Sequence, residues 1–323
     1  MISLQQANVP GAGQPMLAAS AWFIVGLALG VAPLWLDSGT LRLLTEWLCL
    51  LALAQMWNLL AGYTGLASMG QQGFVGLGAY ALVALGLLAE WPLWAVGVAA
   101  PVAAALVAWP AGVLLFRLKG AYFAVGSWVV AEVLRLGVAA IPQVAGGSGI
   151  SVAPLLNELD ADMRFAMLFE LAALAGLGST VAVWWLLHSR WGLALRAVRD
   201  SEMAAETLGV SVPLVRWWVW LACAALSGFV GFVLFMAKLR VSPDTAFSIE
   251  WTTLMLFAVV VGGMGTVWGP VLGVAVYVGL REWLAEWGSG YLISLGVIIM
   301  AATLWLPDGL WGAIRRWRPL VRS

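Results

Sequence analysis

Charged residues are scarce in this chain. Lysine, arginine, aspartate and glutamate make up 10% of its 323 residues, whereas a globular domain carries about 25%. Sixteen basic and sixteen acidic side chains cancel, so nothing in the charge balance indicates a nucleic-acid-binding protein. Because 63% of the residues are hydrophobic, the composition predicts an integral membrane protein.

Reactive and metal-binding side chains are also scarce. The chain has one histidine, and Cys49 and Cys223 stand alone in apolar runs, which predicts packing residues without a disulfide or metal. It has no GxxxxGK(S/T) phosphate-binding loop, and no Ser/His/Asp, HExxH or paired-carboxylate arrangement at helical spacing. We therefore expect no enzyme activity, no bound cofactor and no ATP site on this chain.

Apolar runs long enough to cross a bilayer recur along the sequence, since a hydrocarbon core of roughly 30 Å takes about 20 helical residues. The run at 251–262 is too short to cross alone and predicts a short, tilted or broken element, whose backbone must line a cavity or be covered by protein. We predict an all-α polytopic bundle of ten transmembrane helices, with eight or nine as alternatives. The predicted spans are 17–36, 41–60, 74–89, 93–116, 121–140, 165–187, 214–236, 251–262, 267–286 and 290–306.

Arginine and lysine set the predicted orientation, because cytoplasmic loops of membrane proteins are enriched in them. The basic regions are 117–119, 190–216 and the tail at 307–323. An even number of predicted spans separates each region from the next, so all three are predicted to lie on the same, cytoplasmic side of the membrane. Both termini are therefore predicted to be cytoplasmic, and the loop at 141–164 to face outward. Residues 1–16 contain no lysine or arginine, so we expect no cleaved signal peptide and a retained first span.

One polar segment, residues 190–216, holds seven of the 32 charged residues. It predicts a short helix that Asp200 or Ser201 caps and Gly209 ends, with Pro213 in the first turn of the next span. A membrane protein that folds its longest polar loop into a helix offers that helix to a soluble partner. The alternative is a helix lying on lipid head groups, but the segment is not strongly basic.

Two glycine-rich segments, 58–80 and 259–280, each combine an apolar run, a break and a helix with spaced glycines. Paired interruptions in two halves of a chain are typical of transport pathways between structural repeats, including inverted repeats. Close helix packing is the alternative for each glycine. Polar side chains favour a lining role, because unsatisfied amides in hydrocarbon are costly. The candidate pathway residues are Asn58, Gly65, Ser68, Gln71, Gln72, Gly263, Gly265 and Thr266.

Glu132 and Arg135 lie within the predicted span 121–140. Each costs roughly 2.5–3.5 kcal/mol at the centre of a membrane helix. Three positions apart, they share a helix face and can form an intramembrane ion pair. Such a pair either fixes the rotation of the helix or serves as a gate or a polar contact to another helix.

Four segments together resemble the LivM-type permease subunits of branched-chain amino acid ABC transporters. The resemblance extends from about residue 45 to residue 312, and all four segments follow in the order of the family. They are NLLAGYTGLASMGQQGFVGLGAY at 58–80, LKGAYFAVGSWVVAEVLRL at 118–136, GLALRAVRDSEMAAETLGVSV at 192–212 and SPDTAFSIEWTTLMLFAVVVGGMGTVWGPVLG at 242–273.

The resemblance implies a multi-pass protein of the bacterial inner membrane that forms a heterodimer with a homologous permease. Two cytoplasmic subunits that bind ATP and magnesium and a periplasmic or lipid-anchored binding protein would complete the importer. It also implies that the cytoplasmic loop at 188–213 couples the permease to the ATPases. The coupling residues would be Arg196, Arg199, Asp200, Glu202, Met203, Ala204, Ala205, Glu206, Leu208 and Gly209.

The implied substrates are branched-chain or other hydrophobic amino acids. Urea, short amides or other amino acids are alternatives within the same family, and Gln71 and Gln72 depart from the residues that relatives often have there. A stand-alone channel or an ion-coupled carrier is the alternative from a different class. No predicted span carries a series of acidic residues or histidines suited to proton coupling.

Overall fold

The computed structural model describes residues 22, 25–144, 148–157, 159–283, 290–306 and 308–317, which form an all-α bundle with one short pair of strands. The strands β1 (Ile150–Ser151) and β2 (Arg240–Val241) pair antiparallel. The helices are α1 (Val25–Leu34), α2 (Ser38–Thr64), α3 (Gln71–Ala81, continued by a π-helical turn over Leu82–Leu88), α4 (Leu93–Leu115), α5 (Ala121–Ala139), α6 (Ala161–His188), α7 (Arg190–Asp200), α8 (Glu202–Thr207), α9 (Val212–Lys238), α10 (Pro243–Ala246), α11 (Ile249–Gly262), α12 (Trp268–Trp283), α13 (Gly290–Trp305) and α14 (Gly309–Trp317).

Within the described residues, eight helical stretches are long and apolar enough to cross a membrane. This finding confirms the polytopic all-α prediction at the lower end of its range. The other two predicted spans, 17–36 and 267–286, extend into residues outside the described ranges, and α1 and α12 are their described parts. The eight are Ser38–Thr64, Gln71–Leu88, Leu93–Leu115, Ala121–Ala139, Ala161–His188, Val212–Lys238, Pro243–Gly262 and Gly296–Arg316.

The short span predicted at 251–262 is a broken element. The helix α11 has 14 residues, a length of about 21 Å, and the four-residue helix α10 precedes it. After α11 the chain unwinds over residues 263–267 before α12 begins. We call these five residues the 263–267 break.

The polar segment folds into two helices: the predicted short helix, capped by Ser201 and followed by Gly209, is α8, whereas the preceding helix α7 was not predicted. Positions 190–200 are rich in alanine, leucine and arginine, which favour helix, and Ser189 caps them, so they form α7. Ser201 has extended backbone and separates α7 from α8. Its hydroxyl accepts a hydrogen bond from Ala204 N at 3.3 Å, so Ser201 caps α8 and Asp200 does not. Gly209 follows α8 at φ 83°.

The helix α2 is the centre of the bundle. Every residue from 48 to 60 is buried, and α2 packs against α6, α9, α11 and α12, as expected of a helix that is apolar on all sides. Asp37 caps its start by accepting a hydrogen bond from Thr40 N at 3.1 Å. Hydrogen bonds from the Thr40 side chain and backbone hold the pKa of Asp37 below its ordinary value.

The two ends of the bundle are distinguished by the contacts of α9. At its start, Arg216 donates a hydrogen bond to Thr64 O at 3.4 Å, so the end of α2 lies beside α7 and α8. At its other end, Lys238 lies over the Trp251 ring, near the pair β1–β2. We call these the α8 end and the Lys238 end.

Close approach of α3 and α9 depends on facing glycines. A Cβ atom added to Gly78 would lie 1.8 Å from Gly228 O, a backbone atom of α9. Close packing thus accounts for this glycine of the 58–80 segment.

Because no side chain fits between α3 and α9 at that point, Gly78→Ala is expected to lower the stability of the protein by about 1–3 kcal/mol, as overpacking does. The matched control is Gly137→Ala on α5, where an added Cβ meets nothing within 4 Å. The midpoint temperature of unfolding of the purified protein in detergent measures both effects. Equal midpoints for the two variants would contradict the close approach.

Candidate functional site

The 263–267 break exposes backbone groups that a continuous helix would have paired. Such groups cost several kcal/mol each if they remain unsatisfied in an apolar environment. Asn58 on α2, fully buried, satisfies two of them: its Nδ2 donates to Thr266 O at 2.9 Å and its Oδ1 accepts from Gly265 N at 2.8 Å. The amide of Asn58 therefore takes the place of the missing helical partners.

A second amide on the same face of α2 supports the break. Gln55, three residues before Asn58, donates from Nε2 to Val267 O at 2.9 Å and to Thr180 Oγ1 at 3.3 Å. These bonds connect α2 to the break and to α6. Sequence reasoning missed Gln55, although a glutamine three positions from an asparagine in an apolar run is a detectable signal for a shared helix face.

The break is also held by its own residues. Thr266 Oγ1 donates to Gly263 O at 2.8 Å and accepts from Gly269 N at 3.0 Å, which caps the start of α12. Gly265 has φ 72°, a conformation that favours glycine. A Cβ on Gly62 of α2 would lie 2.7 Å from Gly265 N, so the last turns of α2 pack directly against the break.

A second interruption separates α2 from α3 at residues 65–70. Trp57 Nε1 donates to Ser68 O at 2.8 Å, and Met69 N donates to Ser127 Oγ on α5 at 2.9 Å. Ser68 Oγ accepts from Gly70 N at 3.2 Å. Both glycine-rich segments of the sequence therefore border the final turns of α2.

The two glutamines of the first segment are buried between helices. Gln72 Oε1 accepts a short hydrogen bond from Thr252 Oγ1 on α11. Gln71 Oε1 accepts a hydrogen bond from Ser227 Oγ on α9 at 3.5 Å, and Gln71 Nε2 has no partner among the described residues. Gly65, in contrast, is exposed at the α8 end. The structure thus brings Asn58, Gly265 and Thr266 into direct contact and distributes the other candidate pathway residues around them.

The predicted coupling residues occupy the surface of α7 and α8. Ala205 is buried, and the other nine are exposed. Met203 and Leu208 have exposed fractions of 78% and 77%, which is unusual for large apolar side chains in a polar segment. The residues on α7 are Arg196, Arg199 and Asp200, and those on or directly after α8 are Glu202, Met203, Ala204, Ala205, Glu206, Leu208 and Gly209.

An arginine of α9 anchors α8 to the bundle. Arg216 Nη1 donates to Glu202 Oε2 at 3.1 Å, and its Nη2 forms a shorter ion pair with Glu202 Oε1. The same Nη2 also donates to Thr64 O. One guanidinium therefore joins α8 to the end of α2.

The helix α7 lies between α6 and the break. Arg196 Nη2 donates to Leu187 O, near the end of α6, at 2.6 Å. Arg199 Nη1 lies 3.1 Å from the position that a Cβ on Gly265 would occupy. The polar segment thus contacts the 263–267 break directly, which its sequence position did not indicate.

The charged residues of α5 form a three-residue cluster with α10. Arg135 contacts both carboxylate oxygens of Glu132 at 2.6–3.0 Å, and its Nη1 donates to Asp244 Oδ1 on α10 at 2.6 Å. Glu132 and Arg135 keep exposed fractions of 41% and 27%. The cluster therefore lies on the outer surface of the chain, and Asp244 is a partner that the spacing of Glu132 and Arg135 did not predict.

Taken together, these features define a polytopic helical membrane protein whose spans are joined by buried amides around a helix break. Over residues 39–305 the chain matches the family described as branched-chain amino acid transport system / permease component, and it belongs to that family. It is thus an ABC-transporter permease, a multi-pass protein of the inner membrane, as its resemblance to the LivM type predicted.

Similar proteins include two named high-affinity branched-chain amino acid transport system permease protein LivM. The one from Escherichia coli (strain K12) is 26% identical, over 89% of this chain and 74% of the relative. The one from Salmonella typhimurium is 25% identical, over 88% and 73%. A probable branched-chain amino acid transport permease protein LivH from Methanocaldococcus jannaschii is 31% identical over 42% of this chain and 45% of its own length. No solved structure matches the chain.

Replacement of Asn58 by leucine, which has a similar size, removes both hydrogen bonds to the break. We expect a loss of about 1–3 kcal/mol for each buried backbone group left unpaired, observed as a lower midpoint of thermal unfolding. The control is Ser179→Ala, because Ser179 is buried and its hydroxyl donates to Gly176 O in its own helix. A midpoint for Asn58→Leu as high as that of the control would show that the amide does not hold the break.

Proposed function

We propose that this chain is the membrane-spanning permease subunit of an ATP-driven importer for branched-chain and other hydrophobic amino acids. The family match and the names of the LivM relatives support this substrate class. The complete importer would contain a second, homologous permease, two cytoplasmic subunits that bind ATP and magnesium, and a periplasmic or lipid-anchored binding protein. This chain would bind no cofactor of its own.

In the proposed orientation the α8 end faces the cytoplasm, as do both termini. The arginines of the 190–216 segment and of the tail support this choice, because basic residues accumulate on the cytoplasmic side. The Lys238 end would then face outward, together with the pair β1–β2. The coupling segment and the entrance for substrate would thus lie at opposite ends of the bundle.

The single observation that carries the coupling role is the exposure of Met203 and Leu208 on α8. Large apolar side chains grouped on a polar surface indicate a protein contact. The acidic Glu202 and Glu206 on the same helix disfavour an anionic lipid surface. We therefore propose that α8 inserts these two apolar side chains into a groove of the ATPase.

Two sets of contacts would carry the motion of α8 into the bundle. The ion pair of Glu202 with Arg216 connects α8 to α9 and, through Thr64 O, to the end of α2. The approach of Arg199 to Gly265 connects α7 to the 263–267 break. Association of the two ATPases would then shift α2 and the break together, which alternating access requires.

We place the translocation pathway along the face where α3, α5 and α10 meet. Glu132 and Arg135 are partly exposed within an apolar span, and such charges border water or another protein subunit in preference to lipid. Gln71 and Gln72 lie on α3 next to α5, in the interior behind this face. The second permease would close the pathway on the other side.

The coupling role predicts the effect of Leu208→Ser in the assembled transporter. We expect ATP-driven uptake of L-leucine and copurification of the ATPase each to fall at least tenfold, because the contact loses its apolar side chain. Leu34→Ser is the matched control: Leu34 is 81% exposed and ends α1, next to the start of α2 at the Lys238 end. Normal uptake and normal ATPase recovery with Leu208→Ser would remove α8 from the coupling contact.

A further inference from the structure

A cavity of about 320 Å³ opens at the Lys238 end of the bundle. Its walls come from α2, α9, α10, α11 and α12, with Ser248 from the link between α10 and α11. Trp251, Leu254 and Tyr277 form an apolar and aromatic wall, and charged side chains of both signs line the remainder. We call this space the Lys238 cavity.

Three of the five charged side chains that line the Lys238 cavity are paired within the chain. Glu46 accepts two hydrogen bonds from Arg281, at 2.5 and 3.0 Å. Asp244 is paired with Arg135. These ion pairs already satisfy the charges of Glu46, Arg281 and Asp244 within the chain.

Two cavity charges of opposite sign have no ion-pair partner among the described residues. The Lys238 ammonium lies 4.9 Å from the centre of the Trp251 ring and contacts no carboxylate. The Glu250 side chain forms no hydrogen bond among the described residues, and its backbone N–H donates to Ser248 Oγ. The two charges line one cavity of about 320 Å³ without forming an ion pair with each other.

We propose that the Lys238 cavity binds a zwitterionic α-amino acid with an apolar side chain. The ligand's carboxylate would accept hydrogen bonds from Lys238, and its ammonium group would donate to Glu250. Its side chain would pack against Trp251 and Leu254. The proposal rests on the proposed function, which supplies an amino acid at the outer end of the bundle.

The arrangement fits a zwitterion better than a ligand with one charge. The cation–π contact with Trp251 restrains the Lys238 side chain while leaving its N–H donors available. A ligand with a single charge would satisfy either Lys238 or Glu250 and would desolvate the other without compensation. The cavity thus selects for both charged groups of an amino acid and for an apolar side chain.

The test measures equilibrium binding of three probes to the assembled transporter in lipid nanodiscs. L-Leucine has both charged groups, isoamylamine lacks the carboxylate, and 4-methylpentanoate lacks the amine. The variants are Lys238→Gln and Glu250→Gln. The control is Asp162→Asn on the first turn of α6, an exposed acidic residue outside the cavity.

We expect both variants to bind L-leucine at least tenfold more weakly than the wild type, and Asp162→Asn to bind it normally. Isoamylamine should bind Lys238→Gln at least as tightly as the wild type, because it has no carboxylate for Lys238 and no longer desolvates that charge. By the same reasoning, 4-methylpentanoate should bind Glu250→Gln at least as tightly as the wild type. This pattern assigns each charge of the ligand to one residue.

Unchanged L-leucine affinity in both variants would overturn the proposal. So would a wild-type complex that binds no L-leucine in nanodiscs but imports it with ATP when its binding protein is present, and that result would leave the proposed function intact. If the complete transporter with its binding protein imports no amino acid, the proposed function itself fails. The binding and uptake assays therefore distinguish the two failures.

Discussion

The central constraint on this protein is that unwound backbone inside an apolar bundle must find polar partners within the chain. The 263–267 break meets this constraint through Asn58 and Gln55, two buried amides on one face of α2. Without them, the backbone groups of Gly265, Thr266 and Val267 would have to find other partners. The break therefore depends on the position of α2 beside it at the centre of the bundle.

The same helix connects the two ends of the proposed mechanism. At the α8 end, α2 finishes at Thr64, whose carbonyl is bonded to Arg216, and Arg216 holds Glu202 of α8. At the Lys238 end, Glu46 of α2 is paired with Arg281 in the wall of the Lys238 cavity. A displacement of α2 would thus reach the proposed ATPase contact, the break and the Lys238 cavity together. Charged contacts hold this helix at Glu46 and at Thr64, and the amides of Gln55 and Asn58 lie between these two points.

The sequence allowed the class of fold and several local features to be predicted, since apolar runs and capping residues are local signals. The broken element before Gly263, the helix end at Gly209 and the first-turn Pro213 are found in the structure. The start of α8 at Ser201 was predicted from its capping residues, whereas the helix α7 that precedes it was missed. Partners distant in sequence, such as Asn58 with Gly265 or Arg135 with Asp244, were not predictable. The helical period shows on which face of its helix a residue lies, but not which other helix packs against that face.

The central claim is that α8 controls the 263–267 break through the ion pair of Glu202 with Arg216. Hydrogen–deuterium exchange of the Gly265 amide in the assembled transporter, with and without ATP, tests it directly, because Asn58 protects this N–H. The account predicts that ATP changes this exchange in the wild type and changes it less in Glu202→Ala, which keeps only the approach of Arg199 to Gly265. An identical response to ATP in both proteins, or none in the wild type, would contradict the account.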